Sequence, residues 1–332
     1  MSANSITRRA ATASLLAAAA TGARAQPLIP FKVGIASPST TFLAIWMADA
    51  AGFYKANGLA FETFDMVGGA ESGPTLSSGK IQLMHIGLSS VIRANAAGAD
   101  LRAIGSLSNV IRFTLFAKEG VTTARQLKGG ALGISSAGSE SEATIAVGLE
   151  KLGLTRADVK TVEIGTGRDR LEAVRAGKVA AASLNEPYRT QALEMGMKPI
   201  IDLVPDHVAW VYSGLVAHAP YIRSNRDALL RFLRATIEGN YLALSSEARG
   251  KEVLAKALKI ADRKVLDISY KDFHDQSPRN AEASREGATR NIALVAAPGA
   301  RHDVESYVDF SFGEELRREG FYAAMETKYG KP

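Results

Sequence analysis

An internal echo constrains this chain more than any other feature. Val33-Gly34-Ile35-Ala36-Ser37-Pro38-Ser39 is answered about a hundred residues later by Leu132-Gly133-Ile134-Ser135-Ser136-Ala137-Gly138. Each copy runs through a helical pattern to a second shared signature, Leu76-Ser77-Ser78-Gly79-Lys80-Ile81 in the first and Val174-Arg175-Ala176-Gly177-Lys178-Val179 in the second. The spacing agrees within one residue, 45 from Gly34 to Gly79 and 44 from Gly133 to Gly177. Each unit reads as strand, small-residue loop, helix, strand, helix, Gly-Lys, strand, the grammar of a parallel α/β lobe. Two such lobes in one chain face a ligand across a cleft at the carboxyl ends of their strands. The pattern points to capture of a small molecule before it points to chemistry.

A chain of 332 residues, 46% of them hydrophobic, is long enough for two domains, each with its own core. Residues 1–25 read as an export signal. Arg8-Arg9 supplies a basic start, Ala10 to Thr21 an Ala/Leu-rich run, and Ala23-Arg24-Ala25 a small-x-small cleavage site. The paired arginines fit the twin-arginine type, although Ala11 stands where Phe is usual, and an ordinary secretory signal remains open. Export predicts a periplasmic protein that is not a lipoprotein, because the chain has no cysteine to carry a lipid, a disulfide or a thiol nucleophile. The formal charge of +6 falls to +3 once Arg8, Arg9 and Arg24 are removed, and scattered bases of that excess do not predict nucleic-acid binding.

Extended segments are expected at 31–36, 61–66, 81–86, 101–106, 113–118, 131–135, 159–164, 179–184 and 210–217. Thr123-Ala124-Arg125-Gln126 and Ser139-Glu140-Ser141-Glu142 both have the spacing of capping boxes. From Ser224 onward the pattern is helical, over 224–246, 248–259, 262–273, 282–296 and 314–328. This order predicts an α/β, two-lobed chain with a discontinuous first lobe (26–112 and 216–332, with the C-terminal helices) and a second lobe at 113–215. Two crossover strands, near 111–117 and 209–217, would form a hinge that permits closure.

These residues resemble a known family. Ala50-Ala51-Gly52-Phe53-Tyr54-Lys55-Ala56-Asn57-Gly58-Leu59, the two Gly-Lys signatures, Leu127-Lys128-Gly129 and Asn185-Glu186-Pro187-Tyr188 together look like a solute-binding protein of the ABC-importer type. The group is the nitrate/sulfonate/pyrimidine-precursor one, described as SsuA/THI5-like or NMT1-like. The chain departs from the family in Gln82 and Ala180, where Asp is common, a change expected to act on local structure. The resemblance implies a two-lobed periplasmic-binding-protein fold of type II, a small-molecule solute, and an inner-membrane permease and ATPase as partners. It implies no cofactor and no metal, and a monomer.

Helix N-termini and hydroxyl side chains make polar-group and anion sites. The residues expected to hold ligand in the first lobe are Ser37, Ser39, Thr40, Thr41, Gly69 and Ser89. In the second they are Ser136, Ser139, Thr166, Glu186 and Tyr188, with Arg112 near the first crossover. Ser139 reads first as an N-cap, and Glu186 as either a cap or a cleft residue. Arg112 is preferred over Arg168 and Arg170 as an anion partner, and Trp46 reads as core. An enzyme is the weaker reading. The histidines show no metal-ligand spacing, there is no G-x-S-x-G elbow, and Gly165-Thr166-Gly167 has Arg170 where a dinucleotide fingerprint needs glycine. The expected ligand is a small organic anion, such as a sulfonate, nitrate or a carboxylate. A neutral pyrimidine-like heterocycle and a receptor presenting its ligand to a sensor remain as alternatives.

Overall fold

The structure, a computed structural model, describes residues 27–66 and 72–330. The export-signal reading and Gly69 therefore lie outside the described residues. Ten strands succeed one another as β1 (Ile29–Ala36), β2 (Leu59–Met66), β3 (Leu83–Ile86), β4 (Leu101–Ser106), β5 (Thr114–Ala117), β6 (Ala131–Ile134), β7 (Lys160–Glu163), β8 (Ala181–Leu184), β9 (Pro199–Asp202) and β10 (Gly214–His218). They form two five-stranded sheets, ordered β2-β1-β3-β10-β4 and β7-β6-β8-β5-β9.

The sequence echo is thus a structural one, with β6 to β9 repeating β1 to β4. Each sheet takes one strand from chain that has just left the other. β10 enters the first sheet antiparallel between β3 and β4, and β5 enters the second antiparallel between β8 and β9. The shared glycines have shared reasons. Gly79 and Gly177 both adopt φ of 70°, a left-handed turn that a side chain would strain. Gln82 does act locally, its side-chain carbonyl accepting the Lys32 N–H at 2.7 Å and so tying the β3 approach to β1.

The first core lies between the first sheet and the helix Arg226–Ser245. Phe31 stacks on Phe232 at 5.0 Å, and Tyr54 lies between Phe232 and Phe61. In β1, Phe31, Val33 and Ile35 are all buried, the period of two that a pleated strand requires. Smaller clusters fill the second lobe around Leu132, Ile145 and Leu149. A separate one at the crossovers joins Ile111, Phe113, Val208, Trp210 and Tyr212 to Ala143.

Several expectations need correction. The extended segment at 210–217 forms β-ladder only from Gly214, because 210–213 pairs instead with the first crossover. Strand β9 has no counterpart among the expected segments. It is a four-residue edge strand led by Pro199, with too little alternation to register and a proline tolerated only at an edge. Helix Leu88–Ala96 was likewise unforeseen, since Ser89-Ser90 reads as loop although Leu88, Val91 and Ile92 make a buried stripe. The helix expected at 314–328 is two helices, Ser311–Arg318 and Phe321–Tyr329, parted by Gly320 at φ 72°. Among the described residues, no helix is long and apolar enough to cross a membrane.

Helix Arg226–Ser245 approaches helix Leu43–Ala50 so closely that a Cβ on Gly239 would lie 2.5 Å from the Ala44 carbonyl oxygen and 2.7 Å from the Ala48 Cβ. Backbone cannot yield there cheaply. Alanine at a helix interior ordinarily gains about 1 kcal/mol over glycine, but overpacking costs about 1–3 kcal/mol, so the clash should win. Gly239→Ala is expected to lower the urea midpoint, and a raised midpoint would refute the close approach.

Candidate functional site

The carboxyl ends of both sets of parallel strands open on one cleft. A cavity of about 70 Å³ lies there, with Ser37, Ser39, Thr41, Phe42 and His85 on the first-lobe side. Ser135, Ser139, Glu140, Ser141 and Arg170 face them from the second lobe, and Phe113 and Tyr212 come from the crossovers. Ser37 sits at φ 54°, a left-handed conformation rare for a residue other than glycine, and its buried Oγ has no hydrogen-bond partner among the described residues. The Ser136 Oγ, at the matching position of the second repeat, is likewise buried and unpartnered.

The expected site residues separate into three groups. Ser37, Ser39, Thr41 and Ser139 line the cavity. Ser139 leads helix Glu140–Lys151 but does not cap it with its side chain. Its Oγ lies 2.8 Å from the Ser141 Oγ, which also accepts the Ser135 N–H at 2.8 Å. The capping-box glutamate, Glu142, accepts instead from the Gly138 N–H at 2.7 Å and pairs with Arg156.

A second group is occupied by partners the sequence did not reveal. The Arg112 guanidinium is buried and paired with Asp272, on helix Arg263–Gln276, and Thr40 donates to the same carboxylate at 2.9 Å. Ser89 gives both its N–H and its hydroxyl to Glu140.

The third group serves the second lobe itself. Thr166 and Asp169 form a capping box for helix Gly167–Arg175. Tyr188 packs in the core with Phe116 and Leu184, directly over Gly167, where a Cβ would come within 2.4 Å of its ring. Glu186 accepts from the Thr190 N–H at 3.1 Å and from Arg189, so its carboxylate is engaged by the first turn of the helix Tyr188–Glu194.

Three ionisable groups missing from the expected set give the cleft its electrostatics. Arg170 donates from Nε to the Ser183 carbonyl at 3.0 Å and from Nη1 to the Gly165 carbonyl at 2.7 Å, and no carboxylate among the described residues pairs with it. Burial lowers its pKa to about 10, which still leaves it charged at neutral pH. Glu140 is pushed up to about 7 by burial, against the pull of the Trp210, Ser89 and Arg93 donors and charge. His85, tilted against Phe42 at 3.9 Å, is driven down to about 3 by burial and stays neutral. Sequence carried a signal for Arg170, which lies in the first turn of the helix that follows β7. It carried none for His85, which the strand β3 alone turns inward.

A family model described as NMT1/THI5 like matches residues 39–247. The riboflavin-binding protein RibY of Chloroflexus aurantiacus is 29% identical over 213 residues, 61% of this chain and 58% of that protein's length. This chain therefore spans less than two thirds of that relative. A protein of Bordetella bronchiseptica RB50 superposes with a TM-score of 0.76 at 18% identity, covering 87% of this chain and 97% of that one. The periplasmic aliphatic sulphonate binding protein SsuA of Escherichia coli does so with a TM-score of 0.64 at 22% identity, covering 80% and 90%. At such identities these two likenesses are of fold.

The two shifted acids and bases leave opposite marks on stability. Glu140 titrates near 7 in the fold against an ordinary 4.5, so the folded protein binds more protons in that window. Its contribution therefore falls as pH rises through the window, by about 3 kcal/mol at most. His85, depressed from 6.5 to about 3, makes stability rise with pH over its own window, which overlaps the first. Glu140→Gln removes only the first slope. Its urea midpoint relative to the parent should climb between about pH 5 and about pH 7.5; a constant difference would refute the assignment.

Proposed function

The chain belongs to the NMT1/THI5-like family, and on that premise we propose that it is a periplasmic solute-binding protein for a small organic anion. The solute is held between the two lobes, which close on it about the paired crossovers, with residues 27–112 and 216–330 on one side and 113–215 on the other. The protein hands it to an inner-membrane permease driven by an ATPase, and it carries out no chemistry on it.

One observation carries the anionic reading. Arg170 is a buried guanidinium lining the cleft, held by two carbonyl oxygens and ion-paired with no carboxylate among the described residues. A buried charge without a counter-charge is costly, and an anionic group in the cleft offsets that cost while accepting charge-assisted hydrogen bonds. The remaining donors suit the same ligand, since the hydroxyls of Ser37, Ser39 and Thr41 stand around it. A cavity of about 70 Å³ favours a compact group over a tricyclic ring. The aromatic walls Phe42, Phe113 and Tyr212 favour the second reading, a flat pyrimidine-like heterocycle.

A thermal-shift panel of alkanesulfonates, nitrate, small carboxylates, pyrimidines and riboflavin on the purified protein separates the two. A ligand at about 100 times its Kd adds about 2.7 kcal/mol to stability. Arg170→Lys keeps the charge and loses the planar fork, so it should weaken the anion about tenfold to a hundredfold. A shift with a neutral pyrimidine alone, insensitive to Arg170→Lys, replaces the anion by the heterocycle.

A further inference from the structure

Glu140 belongs to the second lobe, yet two of the three hydrogen bonds to its carboxylate come from Ser89 of the first. Oε1 accepts the Ser89 N–H at 2.7 Å, at the start of helix Leu88–Ala96. Oε2 accepts the Ser89 hydroxyl at 3.0 Å and the Trp210 Nε1–H at 2.6 Å. The Ser89 hydroxyl in turn accepts from Asn291 at 3.1 Å, and the Asn291 carbonyl accepts the Val211 N–H at 2.8 Å. One carboxylate thereby joins the second lobe, a helix N-terminus of the first, and the second crossover. Anions are favoured at helix N-termini, and here the anion is the protein's own.

A steric feature independent of those bonds matches them. Gly87 precedes helix Leu88–Ala96 at φ −77° and ψ 160°, a conformation open to any residue, so its lack of a side chain is not a backbone need. A Cβ there would lie 1.9 Å from the Glu140 Cγ. Gly87 is the recess that admits Glu140.

We infer that Glu140 is a positioning residue that latches the two lobes together, its carboxyl group seated on the first-lobe helix and holding the cleft closed without help from solute. The inference rests on the two-lobed closure proposed above. Apparent affinity scales with the fraction of protein in the binding-competent state, so a latch of this kind raises affinity for any solute. It also reserves the N-terminus of helix Leu88–Ala96, leaving Arg170 as the anchor for the solute's own charge.

Interlobe distance in the protein without added solute tests this directly. The chain has no cysteine, so Met195→Cys and Arg263→Cys give two unique spin-label sites. They flank the rim contact between Glu194 of the second lobe and Lys264 of the C-terminal helices, 2.7 Å apart. Pulsed electron-spin distance measurements on this parent should contain a short-distance population. Glu140→Ala and Gly87→Ala should each deplete it about tenfold, the scale of a lost hydrogen bond to a charged group, with circular dichroism confirming that each variant is folded. The double variant should be no more open than Glu140→Ala, because the Glu140 atoms nearest to the added methyl are then gone. A parent with no short-distance population, a population unmoved by Glu140→Ala, or additive effects of the two substitutions would each overturn the latch. Solute takes no part in the measurement, so its failure leaves the Arg170 reading standing, and a failed solute screen leaves the latch standing.

Discussion

Two crossover segments lie antiparallel, and the rest of the molecule is organised by their pairing. The Trp210 N–H donates to the Asn109 carbonyl at 2.9 Å, and the Ile111 N–H to the Val208 carbonyl at 3.0 Å. The Tyr212 N–H donates to the Ser108 carbonyl at 3.0 Å. Because each segment ends in a strand of the opposite sheet, neither five-stranded sheet is complete without chain that has crossed. The chain therefore crosses between the lobes along one line of paired backbone, and side-chain contacts such as Ser89 with Glu140 and Lys264 with Glu194 join them elsewhere. That line also carries the cleft's floor, since Phe113 and Tyr212 leave it towards the cavity while Trp210 leaves it towards Glu140.

The cleft handles its buried polar groups in three ways. Arg112 is neutralised outright by Asp272, and this pair ties the first crossover to a C-terminal helix. Glu140 is met by three donors and still feels the loss of water strongly enough to titrate near neutrality. Arg170 receives carbonyl dipoles and only the more distant pull of Asp169, with no carboxylate among the described residues paired to it. Arg112 keeps a buried Nη1 without a hydrogen-bond partner but has its charge met by Asp272, so of these three Arg170 is the cation left for a ligand's charge.

Much of the fold was legible in the chain. The paired Gly-Lys signatures fix left-handed turns at Gly79 and Gly177, and the alternation of Phe31, Val33 and Ile35 fixes a strand. Less of the site was legible, for a specific reason. A hydroxyl before a helix has the same sequence signature whether it caps, contacts ligand or holds a carboxylate from another lobe. Thr166 takes the first role, Ser39 lines the cavity, and Ser89 takes the third. Arginine is equally silent, because only the fold decides that Arg112 meets Asp272, 160 residues away, while Arg170 pairs with no carboxylate among the described residues.

What the sequence by itself determined is the duplicated α/β unit, the two crossings of the chain, and the strand-to-helix loops that must face each other. Those are consequences of local periodicity and of glycines at left-handed positions that strain most side chains. Tertiary structure alone decided which polar side chains find partners, since Glu140 and Ser89 are 51 residues apart and Ser89 and Asn291 are 202 apart. Burial sets the charge state of such groups, and burial belongs to the packed lobes and not to any segment of the chain.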